Sequence, residues 1–130
     1  MDLITVKGRP GGGAEIVVRG HRWTGDMSLS DGGGDIGPSP SEWLVASLGA
    51  CIVMMVRSYC ERHGWRDGHV AVSMTYEMAG DPVRIDGIVA DLEIPRDVPE
   101  DRRPAVLRIA EVCPIHATLQ RPPRIDLEIT

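Results

Sequence analysis

Phenylalanine is absent from the 130 residues, so valine, isoleucine, leucine, methionine and three tryptophans must fill any core. Positive charge is also scarce: 14 Lys and Arg face 19 Asp and Glu, a formal net charge of −5. The densest basic run, Arg102 and Arg103, is flanked by Glu100 and Asp101. Phosphate backbones are bound by basic stripes, so no nucleic-acid partner is expected. The first residues lack a basic region followed by an apolar stretch, so nothing there reads as a signal peptide. The longest uncharged apolar run lies between Glu42 and Arg57. That is short of the roughly 20 residues that cross a bilayer, and a buried core helix is expected instead of a membrane anchor. A cytoplasmic location follows as the expectation. Three cysteines without a secretion signal are expected in a reducing compartment, where thiols serve chemistry or metals rather than scaffolding. Internal repeats and low-complexity tails are lacking too.

What is present fits a single α+β domain over residues 1–130. Apolar residues make up 42% of the chain, an ordinary share for a folded domain. Residues 3–7, 14–19 and 21–30 read as strands with a Pro-Gly breaker after the first. Residues 31–35 form a glycine loop between acidic residues. It lacks the Lys-Ser/Thr of a phosphate cradle, so a plain flexible turn is expected. Ser39-Pro40-Ser41-Glu42 starts a helix: Ser39 caps, Pro40 takes the first position and Glu42 completes a capping box. That helix should run to His63 and stop at Gly64. Its expected buried stripe is Leu44, Leu48, Ile52, Met55 and Tyr59. Trp43, Ala46, Ala50, Val53 and Met54 make most of its remaining surface apolar too. One small sheet covers one side only, so a second subunit is expected on the other. Residues 70–78 and 85–94 alternate as a hairpin. Residues 99–112 read as a second helix with Val106, Leu107, Ile109 and Ala110 inward, ended by Pro114. A short turn through Leu119 and a closing strand over 124–130 complete the expectation.

Cys51 lies inside the long helix and reads either as a small core residue or as a functional thiol. Cys113 stands at a helix boundary beside a proline, where a side chain is presented. Cys60 is nine positions after Cys51, which puts it half a turn round and about 13 Å along the axis. An intact helix therefore keeps those two apart, and if a pair forms near Cys51 its remaining partner is Cys113. Glu42 is also nine positions from Cys51 and on the opposite face, about 13 Å away. It could reach a Cys51 only across a dimer interface, and its capping role already accounts for it. A rival arrangement, Cys60 with His63 and Cys113 with His116, has the donors of a zinc site but no CxxC knuckle.

Two segments carry a resemblance. Gly37-Pro38-Ser39-Pro40-Ser41-Glu42 leading through Leu48-Gly49-Ala50 to Cys51, and Ile109-Ala110-Glu111-Val112-Cys113-Pro114-Ile115-His116-Ala117-Thr118-Leu119, are similar to the OsmC/Ohr family. That family opens its central helix with a G-x-(S/T/N)-P segment and has an A-E-x-C-P-(V/I)-H-x-T-L segment later. The chain resembles the general OsmC-like branch from about His21 to Thr130. The resemblance implies two central helices against bent, mostly antiparallel sheets in an intertwined homodimer, with the site at the interface. It implies that Cys51 attacks a hydroperoxide and that Cys113 resolves the sulfenic acid as a disulfide. An external dithiol or lipoyl-type reductant then restores both thiols, with no bound cofactor or metal. The peroxidase branches hold the thiolate with an N-terminal arginine steadied by a carboxylate. Arg19, Arg22 and Glu42 are the residues here near those places. Glu42 matches the helix-start Glu of the general branch and sits one position nearer the cysteine than in clear hydroperoxide reductases. Trp43, Leu48, Met54 and Met55 offer apolar lining for a lipophilic peroxide. The leading expectation is thus a peroxidase of organic hydroperoxides; a redox sensor or small-molecule binding module is second, and a zinc protein third.

Overall fold

A computed structural model describes residues 2–130, in two compact units that meet in sequence between Ala46 and Ser47. In the first, β1 (Thr5–Gly8), β2 (Ala14–Val18) and β3 (His21–Gly25) form an antiparallel sheet in chain order. β2 ends one residue earlier than its β-rich run suggests. Val18 pairs with His21, so Arg19 and Gly20 form a two-residue turn. Both have positive φ, +48° and +83°, which matches the right-handed twist of a tight hairpin. β3 stops at Gly25 rather than at Ser30, because Asp26 turns the chain. Its carboxylate accepts the N–H groups of Met27 (2.8 Å), Gly34 (3.0 Å) and Ile36 (3.4 Å). The glycine loop is therefore tied to the strand end, not a free turn. A Cβ at Gly37 would run into the Thr24 carbonyl, so glycine is required there.

Helix α1 (Pro40–Arg62) begins where the capping box predicts. The Ser39 N–H donates to Glu42 Oε1 (2.8 Å), and the Glu42 N–H donates back to Ser39 Oγ (3.3 Å). Among the described residues it is the one helix that length and composition alone would allow to cross a membrane. Its Leu48, Ile52, Val56 and Cys60 are nonetheless buried within their own unit, as in a core helix.

In the second unit β4 (Ala71–Ala79) and β5 (Arg84–Glu93) form an antiparallel hairpin. Val72 faces Leu92, Met74 faces Ala90 and Tyr76 faces Ile88. Apart from exposed Ala90, these are half-buried positions of an alternating pattern. α1 approaches this hairpin closely at Gly49, where an added Cβ would lie 2.7 Å from Met74 Sδ and 3.2 Å from Val72 Cγ1. A 3-10 turn (Glu100–Arg102) leads into α2 (Arg103–Glu111), and α3 (Pro114–Gln120) follows.

Several expectations need correction. Leu44 is exposed, and the buried stripe of α1 in the second unit is Leu48, Ile52, Val56 and Cys60. Met55 and Tyr59 pack at its margin. Leu107 points to solvent, and Val106 and Ala110 carry the core face of α2. The expected turn after Pro114 is a helix, and the expected strand over 124–130 has no partner strand among the described residues. Its alternating Ile125, Leu127 and Ile129 are 76%, 92% and 102% exposed. Alternation fits a strand, but a strand exists only against a neighbour.

Candidate active site

Pro114 explains where Cys113 stands. The residue before a proline is driven from helical to extended backbone, and Cys113 has φ −63° and ψ 145°. α2 therefore ends, and Pro114, which needs no N–H partner, becomes the first residue of α3. Cys113 is left as the cap of that helix, its Sγ accepting the His116 N–H at 3.3 Å. Its carbonyl accepts the Ala117 N–H at 3.0 Å.

The same conformation turns the Cys113 thiol into the core beside Val56, Val106 and Ala110, fully buried. There it meets Cys51. Burial pushes the Cys113 thiol up, and hydrogen bonding and charge from Cys51 push it further the same way. The amides of His116 and Ile115 pull against that rise without cancelling it. The net direction is upward, so the enclosed site disfavours ionisation of Cys113. Cys51, from α1, is only partly buried and reaches the core margin. Both thiols are free. The arrangement is that of a dithiol: one sulfur held on a rigid helix and partly exposed, the other fully enclosed.

Cys60 is a different kind of thiol. It is 1% exposed, and burial together with the charge of Asp97 raises its pKa. A cavity of about 390 Å³ opens beside it, lined by Arg57, Glu61, Trp65, Arg66 and His69. Its rim is internally paired: Arg57 bonds Glu61 (2.9 Å), and Arg66 reaches the Glu61 carbonyl (3.4 Å). Among the described residues no three His, Cys, Asp or Glu side chains are grouped to hold a metal. His63, the donor that the zinc arrangement needs, has Nδ1 at 2.9 Å from the Tyr59 carbonyl and stacks on Trp65.

Glu42, Arg19 and Arg22 belong to the first unit, and each has a local partner or place. Glu42 sits in the capping box, where the Ser39 N–H and hydroxyl hold its carboxyl below the usual range. Arg22 pairs with Glu15 across the β2–β3 hairpin at 2.8 Å. Arg19 occupies the exposed hairpin turn rather than a strand edge. Of the apolar lining, Trp43 packs on Trp23 with ring centroids 5.5 Å apart, and its Nε1–H is buried without an acceptor among the described residues. Leu48 is buried, Met55 borders the core, and Met54 is 66% exposed. Sequence reasoning missed the His116 amide, because cysteine is not a usual helix cap. The signal was the Cys-Pro step itself.

The family model for OsmC-like proteins matches residues 32–128, spanning both cysteine segments and the hairpin between them. The chain belongs to the OsmC-like protein family. The fold agrees. A Psychrobacter arcticus osmotic stress induced and detoxification response protein superposes with a TM-score of 0.82 at 16% identity, covering 91% of this chain and 88% of that one. An organic hydroperoxide resistance protein OsmC of Legionella pneumophila gives 0.71 at 17% identity, covering 93% and 90%. The organic hydroperoxide resistance protein OhrB of Bacillus subtilis gives 0.59 at 16% identity, covering 93% and 92%. No curated protein matches the chain. This chain thus shares the α+β fold of proteins named for hydroperoxide resistance.

Proposed function

We propose that this OsmC-like chain is a cysteine-based peroxidase that reduces organic hydroperoxides, with hydrogen peroxide as a further substrate, through Cys51 and Cys113. The observation that carries the reading is the pairing of a partly exposed helix thiol with a fully enclosed one. The Cys51 thiolate attacks one peroxide oxygen; the O–O bond breaks, and the alkoxide leaves and takes a proton to become the alcohol. The sulfenic acid on Cys51 then condenses with the Cys113 thiol, forming the disulfide and releasing water. A dithiol or lipoyl-type reductant returns both thiols, and no bound cofactor takes part.

The working unit in this reading is a cytoplasmic homodimer. Exposed Leu44 and Met54 on α1 and the unpaired Ile125, Leu127 and Ile129 supply apolar surface for a second copy. Across such an interface Glu42 and one of Arg19 or Arg22 would serve the partner's Cys51, the arginine holding the thiolate and the carboxylate steadying it. Peroxide turnover with a panel of dithiols tests the reading on wild type, Cys51→Ser and Cys113→Ser. Cys51→Ser should abolish oxidation. Cys113→Ser should keep the first step but stop the cycle and let Cys51 proceed to sulfinic acid, read by mass spectrometry. If neither variant differs from wild type, the peroxidase reading falls.

A redox sensor or binding module without efficient turnover is the second reading. It is favoured by the existing engagements of Arg22 with Glu15 and Glu42 with Ser39, which must loosen before either can serve a thiolate.

A further inference from the structure

We propose that the reductant attacks the oxidised pair at the Cys51 sulfur, so that Cys113 is always the leaving thiolate and never carries the mixed disulfide. The inference deepens the peroxidase reading and needs from it only that the Cys51–Cys113 disulfide is the species to be reduced.

Thiol–disulfide exchange is an in-line displacement: the incoming thiolate approaches one sulfur from the side opposite the other. The two sulfurs of this pair present very different far sides. Cys113 belongs to the buried cluster of Val56, Val106 and Ala110 and has no solvent exposure. A thiolate could reach it only through packed side chains. Cys51 is partly exposed in the single chain, at the margin of that core, so of the two sulfurs it is the one a reagent in solution can approach. Access therefore selects Cys51.

The leaving group is provided for as well. The His116 N–H already points at Cys113 Sγ, 3.3 Å away. When the S–S bond breaks, the charge developing on Cys113 meets that donor without rearrangement of the chain. Burial works against the charge, so the thiolate should take a proton promptly.

The steps balance. One thiolate of the external dithiol forms a bond to Cys51 Sγ as the Cys51–Cys113 bond breaks, and Cys113 leaves with the electron pair and is protonated. The second thiol of the reductant, once deprotonated, attacks its own sulfur in the mixed disulfide. Cys51 leaves as thiolate and the reductant is released as an intramolecular disulfide. Two electrons pass from the dithiol to the protein.

The test makes the disulfide without peroxide. Diamide takes two electrons and two protons from the pair, so the result is independent of whether the chain is a peroxidase. The oxidised protein is mixed with excess 2-mercaptoethanol, quenched in acid within the first tenth of the reaction and alkylated. Trypsin separates the three cysteines, because Arg57 lies between Cys51 and Cys60 and Arg108 precedes Cys113. The expected product carries the mercaptoethanol adduct on Cys51 and the alkyl group on Cys113, with at least about a tenfold excess over the reverse product, as the difference in access predicts. A majority on Cys113, or equal amounts, overturns the inference.

A second measurement uses single-thiol labelling with 5,5′-dithiobis(2-nitrobenzoate) in folded variants. Cys51 in Cys113→Ser should react at least about tenfold faster than Cys113 in Cys51→Ser, again from access alone. Equal rates overturn it. If diamide-made disulfide is reduced at Cys51 while peroxide never oxidises the pair, this inference stands and the peroxidase reading falls.

Discussion

Replacing Cys113 by serine or by alanine separates its two duties. Both substitutions remove the thiol, so both should stop disulfide formation equally. They differ in what they leave beneath the His116 N–H. A serine oxygen can accept that bond in place of sulfur, and serine is among the preferred residues at this position. Alanine has no acceptor, and loss of such a cap costs about 1 kcal/mol, with a range of about 0.5–2. Both variants also lose the buried surface of the sulfur, so that loss drops out of the comparison. For a chain of this size 1 kcal/mol corresponds to roughly 3–5 °C in Tm, a value between those for smaller and larger domains. Cys113→Ala should therefore melt about 3–5 °C below Cys113→Ser, measured by circular dichroism under reducing conditions at one fixed protein concentration. Peptide mapping after peroxide treatment should find Cys51 over-oxidised to the same degree in both. If alanine is as stable as serine, the sulfur does not cap α3. If the two variants differ in over-oxidation, capping and resolution are not separable.

Other consequences can be checked as directly. Asp26 and Asp97 each pay for burial, yet backbone donors hold both carboxyls below the usual range: Met27, Ile36 and Gly34 for Asp26, Arg66 and Asp67 for Asp97. A folded pKa below the unfolded value adds stability at neutral pH that is lost as pH falls below about 4, so urea midpoints should drop there. The drop should shrink in Asp26→Asn, and an unchanged profile would contradict the role given to its carboxylate. Arg19 sits in left-handed backbone at φ +48°, which costs an L residue about 1 kcal/mol, so Arg19→Gly should raise Tm rather than lower it. Removal of residues 124–130 should shift the dimer toward monomer in sedimentation velocity, and an unchanged dimer would show that this apolar tail is not part of the interface.

How much of this was legible in the residues depended on which physical rule governed each place. Ser39 and Glu42 obey a local rule, reciprocal bonding across three positions, and α1 starts where they place it. The β4–β5 hairpin obeys another, alternation against a covered face, and it too lies where expected. α3 was missed because its cap is a cysteine sulfur, outside the oxygen-bearing residues that usually mark a helix start. The buried stripe of α1 was misread because the helix is apolar nearly all round. A period of 3.6 cannot rank its faces when most of them are apolar, and only the positions of α2 and the hairpin make Val56 and Cys60 central.

The three cysteines show where local rules end and packing begins. Cys51 and Cys60 lie on one helix, Cys51 between Ala50 and Ile52 and Cys60 between Tyr59 and Glu61. Helix arithmetic separates them by half a turn, which decides that they cannot meet but not which of them is the functional thiol. The choice comes from residues far along the chain. Pro114 forces Cys113 out of α2 in an extended conformation, and that conformation aims its sulfur at the one helix thiol that remains partly open. Cys60, enclosed and raised by burial and by Asp97, has become core. A proline sixty-three positions beyond Cys51 thus decides which helix thiol has a partner. Replacing Pro114 by alanine would relax that constraint on Cys113, and the alignment of the pair should suffer more than the helix that carries Cys51.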